Sequence, residues 1–396
     1  MSAGPAKRPI VLASGGTGGH MFPAAALARE LLSRGERPVL ITDARGGGFG
    51  PDLADQVPTY RIAAAGFAGG DPLAKLGSLL RLGVGYLQAR AHLRHLDPVS
   101  VVGFGGYASL PTALAAAHTG RRLILHEQNA VLGRANRMLA GRASALALSF
   151  PEVSGLDSDG RAKACLTGNP VRSSFVAIGR KPYAVADQSG PLRLLVTGGS
   201  QGARVFNDLI PDMVQHLPQT LRARLSVSQQ VRGTDLEAVR RRYEGSGVQP
   251  ELRSFFDDLP ERLQGVHLVI ARAGASTVTE LTAAGRPSIL VPYPFAADDH
   301  QRANARALES AGAAWLHDQK TLTPELLARE VAALLADPAR LSAAARAALG
   351  FAVPDSAARL AALVLGTDNG GNRAAERDST PGGTGGGAAQ NGEAAA

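Results

Sequence analysis

The chain contains little of what would place it in several large protein classes. Its 396 residues include one cysteine, Cys165, so no disulfide can form within the chain, which favours a reducing compartment. No Cys/His cluster has the spacing of a zinc site, and no run of about 18 apolar residues predicts a transmembrane helix. Residues 1–8 lack the apolar centre of a signal peptide. We therefore expect a protein that is soluble or attached to a membrane surface.

Charge and aromaticity narrow the classes further. Aromatic residues make up 5% of the chain and charged residues 19%, whereas hydrophobic residues reach 45%, which is enough for packed cores. The formal net charge is +8. No DNA- or RNA-binding motif accompanies this charge, so we expect no nucleic-acid partner. Phosphate-bearing substrates and an anionic membrane surface both suit a basic protein, and a plain solvated surface is the alternative.

Strand and helix signals alternate in two series along the chain. Ile10–Ser14 predicts a strand, Pro23 is expected to open the next helix, and Pro38–Thr42 predicts a second strand. The series restarts at Leu192–Thr197, after an irregular segment at 151–190 that we interpret as the domain junction. The alternation predicts an α/β fold with two Rossmann-like, doubly wound parallel sheets.

Three glycine-rich loops each follow a strand and precede a helix. We call 14–20 the first loop, 198–203 the second loop and 273–277 the third loop. Glycine lets backbone approach a ligand closely, and the free N–H groups at a helix start bind phosphate. A tight turn is the alternative for any single loop. Because ligands bind at the carboxyl ends of parallel strands, three such loops predict a cleft between two sheets.

Polar side chains near these loops are candidates for chemistry. His20 lies at a helix start, where the dipole favours a neutral imidazole that can accept a proton from an alcohol. Glu127 or Asn129, after a strand end, could bind substrate hydroxyls, and Arg172 could neutralise a diphosphate. A packing histidine, a surface loop and a structural hinge are the respective alternatives. Glu280 stands one turn into a helix, where its carboxylate could accept hydrogen bonds from a ribose diol.

A second group of candidates follows the third loop. Ser276 and Thr277 lie at the helix start, and Gln301 and Asn304 share one helix face at a spacing suited to a polyhydroxy ligand. Asp298 and its neighbour Asp299 do not form a convincing metal site. We therefore expect charge stabilisation by helix ends and arginine, without an obligatory metal or other cofactor.

Residues 73–95 predict a helix that is apolar on two faces. One stripe has the spacing of an ordinary core face, and it comprises Leu73, Leu76, Leu80, Val84, Leu87 and Ala91. The opposite stripe, near Lys75 and Arg90, comprises Leu79, Leu82, Tyr86 and Leu93. Basic neighbours make an anionic membrane a candidate partner, so we predict membrane contact by Leu79, Leu82 and Tyr86. A helix packed between two layers is the alternative.

The motifs taken together are more specific than any one of them. In order along the chain they are GGTGGH (15–20), GFGGYAS (103–109), HEQNA (126–130), GNPVR (168–172), GGSQGAR (198–204), RAGAST with VTE (272–280) and DDHQ with RANA (298–305). In these stretches the chain resembles the family 28 glycosyltransferases of peptidoglycan synthesis. That family adds N-acetylglucosamine to undecaprenyl-diphosphate-muramoylpentapeptide.

The resemblance implies a GT-B fold, in which two Rossmann-like domains face a cleft and a C-terminal helix returns to the first domain. It implies an acceptor domain at 1–170, a donor domain at 171–351 and a returning helix at 352–366. The Gly- and Ala-rich remainder, 367–396, is expected to be disordered. The implied place is the cytoplasmic face of the inner membrane, and the implied partners are UDP-N-acetylglucosamine, an undecaprenyl-linked lipid and the anionic membrane surface.

The resemblance also assigns roles to residues. It implies His20 as general base for an inverting attack by the 4-hydroxyl of the muramoyl sugar. It implies that the donor is bound by Thr17, Gly18, Gly19, Asn129, Arg172, Ser200, Phe256, Ser276, Thr277, Glu280 and Gln301. Phe256 is a mild departure, because the family often has Ile beside the uracil. The alternatives are a glycosyltransferase with another lipid acceptor such as diacylglycerol, a nucleotide-sugar epimerase, or a non-catalytic binding module.

Overall fold

The fold is that of a computed structural model, which describes residues 7–15, 18–44, 48–65, 72–185, 187, 189–199, 202–233 and 235–367. Two of the proposed donor-binding residues, Thr17 and Ser200, lie outside these residues. The predicted disordered tail also lies outside them from residue 368 onward.

The first half of the chain forms a seven-stranded parallel sheet in the order β3-β2-β1-β4-β5-β6-β7. Its strands are β1 (Ile10–Ala13), β2 (Pro38–Asp43), β3 (Thr59–Ile62), β4 (Ser100–Gly103), β5 (Leu123–Glu127), β6 (Ala145–Leu148) and β7 (Ala164–Leu166). The central strands are buried along their whole length, as expected of a parallel sheet with helices on both faces.

The second half repeats this architecture in a six-stranded parallel sheet of order β10-β9-β8-β11-β12-β13. Its strands are β8 (Leu192–Thr197), β9 (Leu225–Gln230), β10 (Glu251–Arg253), β11 (Leu268–Ala271), β12 (Ser288–Leu290) and β13 (Ala314–Leu316). Counted within each half, the first six strands of both sheets follow the Rossmann order 3-2-1-4-5-6. The α/β fold with two doubly wound sheets is thus confirmed.

Helices cover both faces of each sheet. Those of the first half are α1 (Gly18–Ser33), α2 (Pro51–Ala54), α3 (Pro72–Leu96), α4 (Gly106–His118), α5 (Arg134–Leu139) and α6 (Ser158–Ala162). The next helix, α7 (Ser173–Gly179), packs against helices of the second half. Those of the second half are α8 (Val205–His216), α9 (Gln219–Arg222), α10 (Leu236–Arg242), α11 (Leu259–Gln264), α12 (Ala275–Ala283), α13 (His300–Ser310), α14 (Pro324–Leu335), α15 (Pro338–Phe351) and α16 (Ser356–Leu365).

The last helix crosses back to the first domain, as the resemblance implied. α16 packs against α1, and the Arg122 guanidinium donates to the carbonyls of Leu363 (2.7 Å) and Val364 (2.9 Å). Of the described residues, only the stretch 338–365 is long and apolar enough for a membrane span. That stretch consists of α15 and α16, which are separated by 352–355, and its buried side chains pack against other helices of both domains. It is therefore weak evidence for a span.

The structure corrects two local predictions. Pro23 does not open α1, which begins at Gly18 and includes the proline at its sixth position. An interior proline removes one backbone hydrogen bond and crowds the preceding turn, yet α1 continues through Pro23 to Ser33. The segment 151–190 is less irregular than expected, since it contains α6, β7 and α7. These elements have three to seven residues each, too few for a clear periodic pattern.

The burial of α3 differs from the prediction at most of the described positions, although Leu79 is exposed as predicted. The side chain of Leu73, from the predicted core stripe, lies outside what the structure describes. The stripe expected in the core is exposed, with Leu76 55%, Leu80 64% and Leu87 63% accessible. We call the four exposed residues Leu76, Leu80, Val84 and Leu87 the outer face of α3. The buried face carries Gly85, Ala89 and Leu93, and it packs towards α4 and β3.

Backbone proximity explains why this face is inside. A Cβ at Gly85 would overlap the Ala63 carbonyl oxygen, so only glycine allows the helix to approach the strand end so closely. Tyr86 is half-buried, and its hydroxyl hydrogen-bonds with His118 Nδ1 at 3.1 Å. Leu82 is half-buried as well, whereas Leu79 is 59% exposed. Of the three residues predicted to contact a membrane, only Leu79 is mainly exposed.

Candidate active site in the interdomain cleft

A cavity of about 780 Å³ lies between the two sheets, at the carboxyl ends of their strands. It is within the size range of sites for small ligands and cofactors. Nine of the proposed site residues line it, namely Gly19, His20, Asn129, Arg172, Phe256, Ser276, Thr277, Glu280 and Gln301. Gly18 begins α1 next to Gly19. The structure thus brings together candidates that lie between Gly19 and Gln301 in the sequence.

The described residues of the first loop contribute Gly19 and His20 to the wall of the first domain. Gly15 packs so tightly that a Cβ there would lie 2.8 Å from both Ala108 Cβ and Thr42 Oγ1. This turn places His20 in the first turn of α1, partly buried at the cavity. Burial lowers the pKa of His20 below its ordinary value of 6.5, and a hydrogen bond with Gln128 only partly opposes this. His20 is therefore neutral near pH 7 and can accept a proton.

Glu127 organises the loop after β5 rather than facing the ligand. It is 3% exposed, and its carboxylate accepts from the backbone N–H groups of Asn129 (3.1 Å) and Gly133 (2.9 Å). It also accepts from Asn136 Nδ2 at 2.9 Å. These bonds use its acceptor capacity within the loop. Of the two alternatives, Asn129 is the one that lines the cavity, where its amide also bonds to Glu127 and Asn304.

Asn304 joins the two domains instead of standing beside Gln301 in the cavity. The side chain is fully buried; Oδ1 accepts from the Ala130 N–H at 2.8 Å, and Nδ2 donates to Asn129 Oδ1 and the Ala273 carbonyl. The i, i+3 spacing suggested a shared role with Gln301. Only the position of the first domain shows that Asn304 is occupied elsewhere.

The two acids before α13, Asp298 and Asp299, form ion pairs with arginine side chains. Asp298 pairs with Arg134 of the first domain at 3.1 Å, and Asp299 pairs with Arg302 at 3.0 Å. In the part of the chain that the structure describes, no three His, Cys, Asp or Glu side chains gather where they could hold a metal. Metal-independent charge stabilisation stays a prediction.

The second loop forms part of the opposite wall. A Cβ at Gly198 would overlap the backbone at Gly202 and Ala203, so the turn requires glycine. Gln230 fixes this turn, because its Oε1 accepts from the Gly198 N–H and from Thr197 Oγ1, each at 3.0 Å. Gln230 was missed from sequence. Its position at the end of β9 was the available signal.

The third loop and Arg272, the residue before it, carry two buried polar groups that face the cavity. Ser276 Oγ is buried and has no hydrogen-bond partner in the described structure, although Ser276 lines the cavity. Arg272 is 7% exposed and donates to the carbonyls of Val291 (2.9 Å) and Pro292 (3.0 Å). Burial lowers the pKa of Arg272 to about 10, so the guanidinium remains charged near pH 7. Both groups suit an anionic or hydroxylated ligand.

Glu280 and Arg172 face one another across the cavity at 3.9 Å. Burial raises the pKa of the Glu280 carboxyl to about 7, and the Arg172 charge opposes this rise. The Arg172 guanidinium lies over the rings of Phe175 (4.8 Å) and Phe22 (5.9 Å), which hold it beside the first domain. This carboxylate, largely enclosed and available to accept hydrogen bonds, fits a diol.

Aromatic and amide side chains line the remaining end of the cavity. Phe256 is 5% exposed and packs under the Arg262 guanidinium at 4.5 Å. Gln301 Oε1 accepts from the Tyr293 N–H at 2.9 Å, which holds the amide at the cavity. Sequence reasoning missed Tyr293 and the 78% exposed Phe295, which also line the cavity. They follow β12, so their place at a strand end was a signal that could have been used.

Comparison with known proteins defines first the class and then the family. In structure, the chain is similar to Acinetobacter baumannii MurG, with a TM-score of 0.74 and 28% identity over 91% of this chain and all of that one. It shares the fold alone with a putative UDP-N-acetylglucosamine 2-epimerase from Listeria monocytogenes, with a TM-score of 0.62 and 16% identity over 91% and 97% of the two chains. The fold is that of a GT-B glycosyltransferase.

The sequence gives the family. The glycosyltransferase family 28 N-terminal domain matches residues 10–148, and the C-terminal domain of the same family matches 193–360. The chain belongs to glycosyltransferase family 28.

Two relatives are named UDP-N-acetylglucosamine–N-acetylmuramyl-(pentapeptide) pyrophosphoryl-undecaprenol N-acetylglucosamine transferase. The one from Rhodospirillum centenum is 56% identical, over 94% of this chain and 97% of its own length. The one from Paramagnetospirillum magneticum is 52% identical, over 90% and 96%.

Proposed function

We propose that this enzyme transfers N-acetylglucosamine from UDP-N-acetylglucosamine to the 4-hydroxyl of the muramoyl sugar of undecaprenyl-diphosphate-muramoylpentapeptide. The products are UDP and the disaccharide lipid precursor of peptidoglycan. The observation that carries the proposal is 56% identity, nearly end to end, with a relative named for this reaction. The cleft supports it, since it pairs a neutral histidine on one wall with anion- and diol-binding groups on the other.

The donor is proposed to bind along the wall of the second domain. Phe256 lies where it can pack beside the uracil, and Glu280 can accept hydrogen bonds from the ribose hydroxyls. Arg172 and the free N–H groups at the start of α12, near Ser276 and Thr277, suit the diphosphate. Thr17, Gly18, Gly19 and Ser200 are proposed to border the same groups, and Asn129 and Gln301 to bind the sugar hydroxyls.

The transfer itself is a single inverting displacement. The acceptor 4-oxygen forms a bond to the anomeric carbon on the face opposite UDP, and the bond from that carbon to the diphosphate oxygen breaks. UDP leaves with the electron pair, and His20 takes the proton of the hydroxyl. The positive charge of Arg172 and the helix dipole stabilise the negative charge that develops on the diphosphate.

Turnover with defined acceptors tests this proposal. Radiolabelled sugar should pass from UDP-N-acetylglucosamine to the muramoylpentapeptide lipid and not to diacylglycerol, with one UDP released per sugar transferred. Labelling of diacylglycerol would assign a different lipid acceptor. UDP release without any acceptor-dependent product would favour an epimerase and overturn the proposal.

We further propose that the first domain docks on the anionic cytoplasmic surface of the membrane, where the lipid acceptor lies. The outer face of α3 supports this, because large apolar side chains with 50–64% exposure lie in one row there. Leu79 is exposed beside this row, and Arg94 lies on the same side by helical spacing. We also propose the domain limits 1–170 and 171–351, with 352–366 packing on the first domain.

Vesicle sedimentation tests the docking surface. The full chain should bind vesicles that contain phosphatidylglycerol more tightly than vesicles of phosphatidylcholine alone, and more weakly at high salt. The Leu80→Asp and Leu87→Asp variants should lose binding. Tyr86→Phe is the matched control, because Tyr86 is half-buried on the inner side, and it should bind normally. Equal binding by the aspartate variants would exclude this face.

A further inference from the structure

Two buried polar side chains stand behind His20 and have no part in the roles assigned so far. Gln128 is 2% exposed and His126 is fully buried. Gln128 Nε2 lies 2.9 Å from the Phe104 carbonyl oxygen and 3.2 Å from the His126 carbonyl oxygen. A carbonyl oxygen can only accept a hydrogen bond, so the amide nitrogen of Gln128 must be at this end. The amide oxygen must then be at the other end.

The orientation of the amide decides the protonation of His20. Gln128 Oε1 lies 3.0 Å from His20 Nδ1. Because this oxygen can only accept, Nδ1 must carry the hydrogen, and neutral His20 keeps the lone pair on Nε2. Without this bond, a histidine side chain in water prefers the opposite tautomer, in which Nε2 is protonated and cannot accept.

His126 continues the same hydrogen-bond direction away from the cleft. Its Nδ1 lies 2.9 Å from Gln128 Nε2, a donor, so Nδ1 accepts and the ring hydrogen is on Nε2. That Nε2 lies 3.2 Å from the Gly168 carbonyl, which accepts it. Burial lowers the pKa of His126 to about 4, so the ring stays neutral at working pH. The series of hydrogen bonds is therefore consistent in only one direction, from His20 through Gln128 and His126 to the Gly168 carbonyl as the final acceptor.

His20 Nε2 lies next to the backbone of Gly106. Beside the bond with Gln128, a hydrogen bond with the Phe104 backbone also favours the charged form of the His20 ring. A Cβ at Gly106 would lie 3.1 Å from Nε2, and the positive φ of +72° there also favours glycine. The charged and titratable groups that act on His20 are Glu127 from β5, His300 from α13 and the neutral His126.

We propose that Gln128 and His126 are positioning residues that fix His20 in the tautomer whose Nε2 accepts the proton of the attacking hydroxyl. The inference rests on the proposed function, in which His20 is the general base. After the transfer, the Nδ1–H of the charged ring still donates to Gln128 Oε1, so the same bond stabilises the imidazolium. The proton on Nε2 then leaves to solvent when UDP and the lipid product dissociate.

Substitution of Gln128 separates positioning from packing. Gln128→Met keeps the approximate volume and removes the acceptor, so kcat should fall roughly 10- to 100-fold while the KM for UDP-N-acetylglucosamine stays within about twofold. Gln128→Glu keeps an acceptor for Nδ1–H and adds negative charge, which raises the pKa of His20. The acidic limb of its kcat profile should therefore move to higher pH, and it should keep more activity than the Met variant.

Nitrogen-15 NMR of labelled histidine shows which ring nitrogen of His20 is protonated. His20 should show a protonated Nδ1 in the wild type and a mixture of tautomers in Gln128→Met, with unchanged UDP affinity as the control for folding. The His20→Ala, Gln128→Met double variant should be no slower than His20→Ala alone, because the effect acts through His20.

The outcomes distinguish the two proposals. Full turnover by His20→Ala would overturn His20 as the base. A slow His20→Ala together with unchanged kcat and tautomer in Gln128→Met would overturn only the positioning role. A Gln128→Met variant that lost UDP affinity in proportion to kcat would show that Gln128 acts through packing, which also contradicts the inference.

Discussion

Glu280 offers a test in which stability and function should change in opposite directions. Its side chain is 14% exposed, and burial raises the pKa of its carboxyl from the ordinary 4.5 to about 7. Replacing Glu280 with Gln keeps the shape and removes the titrating group. We expect the ligand-free Glu280→Gln variant to be more stable than the wild type at pH 8, and to bind UDP less tightly.

The size and sign of the stability difference follow from the difference in the Glu280 pKa between the folded and unfolded chains. Below pH 4.5 the Glu280 carboxyl is protonated in both the folded and the unfolded chain, so it makes no pH-dependent contribution to stability there. Between pH 4.5 and about 7 the unfolded chain ionises first, and the folded protein loses stability as the pH rises. At 1.36 kcal/mol per pH unit this loss reaches about 3 kcal/mol above pH 7. The variant does not titrate, so its advantage should grow over this range.

Urea unfolding at pH 4.5, 6 and 8 measures the difference, with Glu237→Gln as the control. Glu237 has a 74% exposed side chain in the same domain, and its replacement should give no comparable pH-dependent difference. Saturating UDP should reverse the order at pH 8, because the ribose hydroxyls would donate to the ionised carboxylate. A constant difference between wild type and Glu280→Gln across the pH range would refute the reasoning.

Two further predictions concern the interdomain contact and α3. Asn304→Leu leaves the Ala130 N–H without its acceptor, which costs about 1–3 kcal/mol of stability. Hydrogen exchange of the Ala130 amide should therefore become roughly tenfold faster or more. Unchanged protection of this amide would contradict the contact. Gly83→Ala should stabilise α3 by up to about 1 kcal/mol, because a Cβ there meets open space. Gly85→Ala should destabilise the protein, because its Cβ meets the Ala63 carbonyl. Thermal unfolding of the Gly83→Ala and Gly85→Ala variants measures the difference. Equal changes in stability would refute the packing argument.

Most residues that line the cavity could be predicted because they are marked locally. A glycine-rich turn between a strand and a helix is visible in the sequence at all three loops. A strand end marks Asn129, and Glu280 stands in the helix that follows the third loop. Asn304 shows where this reasoning fails, since helical spacing places it beside Gln301. Its partners Asn129 and Ala130 belong to the other domain, and no local pattern reports contacts over such a separation.

The strands that sequence reasoning missed have a similar cause. β6 (Ala145–Leu148) alternates alanine and leucine, which suit a helix equally well, and β10 and β13 have three residues each. Their backbone hydrogen bonds come from a neighbouring strand that is already in place. Pairing within the sheet therefore determines them, and local propensity does not.

The sequence by itself determined the α/β alternation, the three loops and the residue types proposed to bind a phosphate and a diol and to accept a hydroxyl proton. Those features depend on backbone freedom and side-chain chemistry within a few residues. Tertiary structure decided which face of α3 is buried, because both stripes are apolar and only the close approach at Gly85 selects one. It also decided the tautomer of His20, since the amide orientation of Gln128 depends on the Phe104 carbonyl, 24 residues away along the chain.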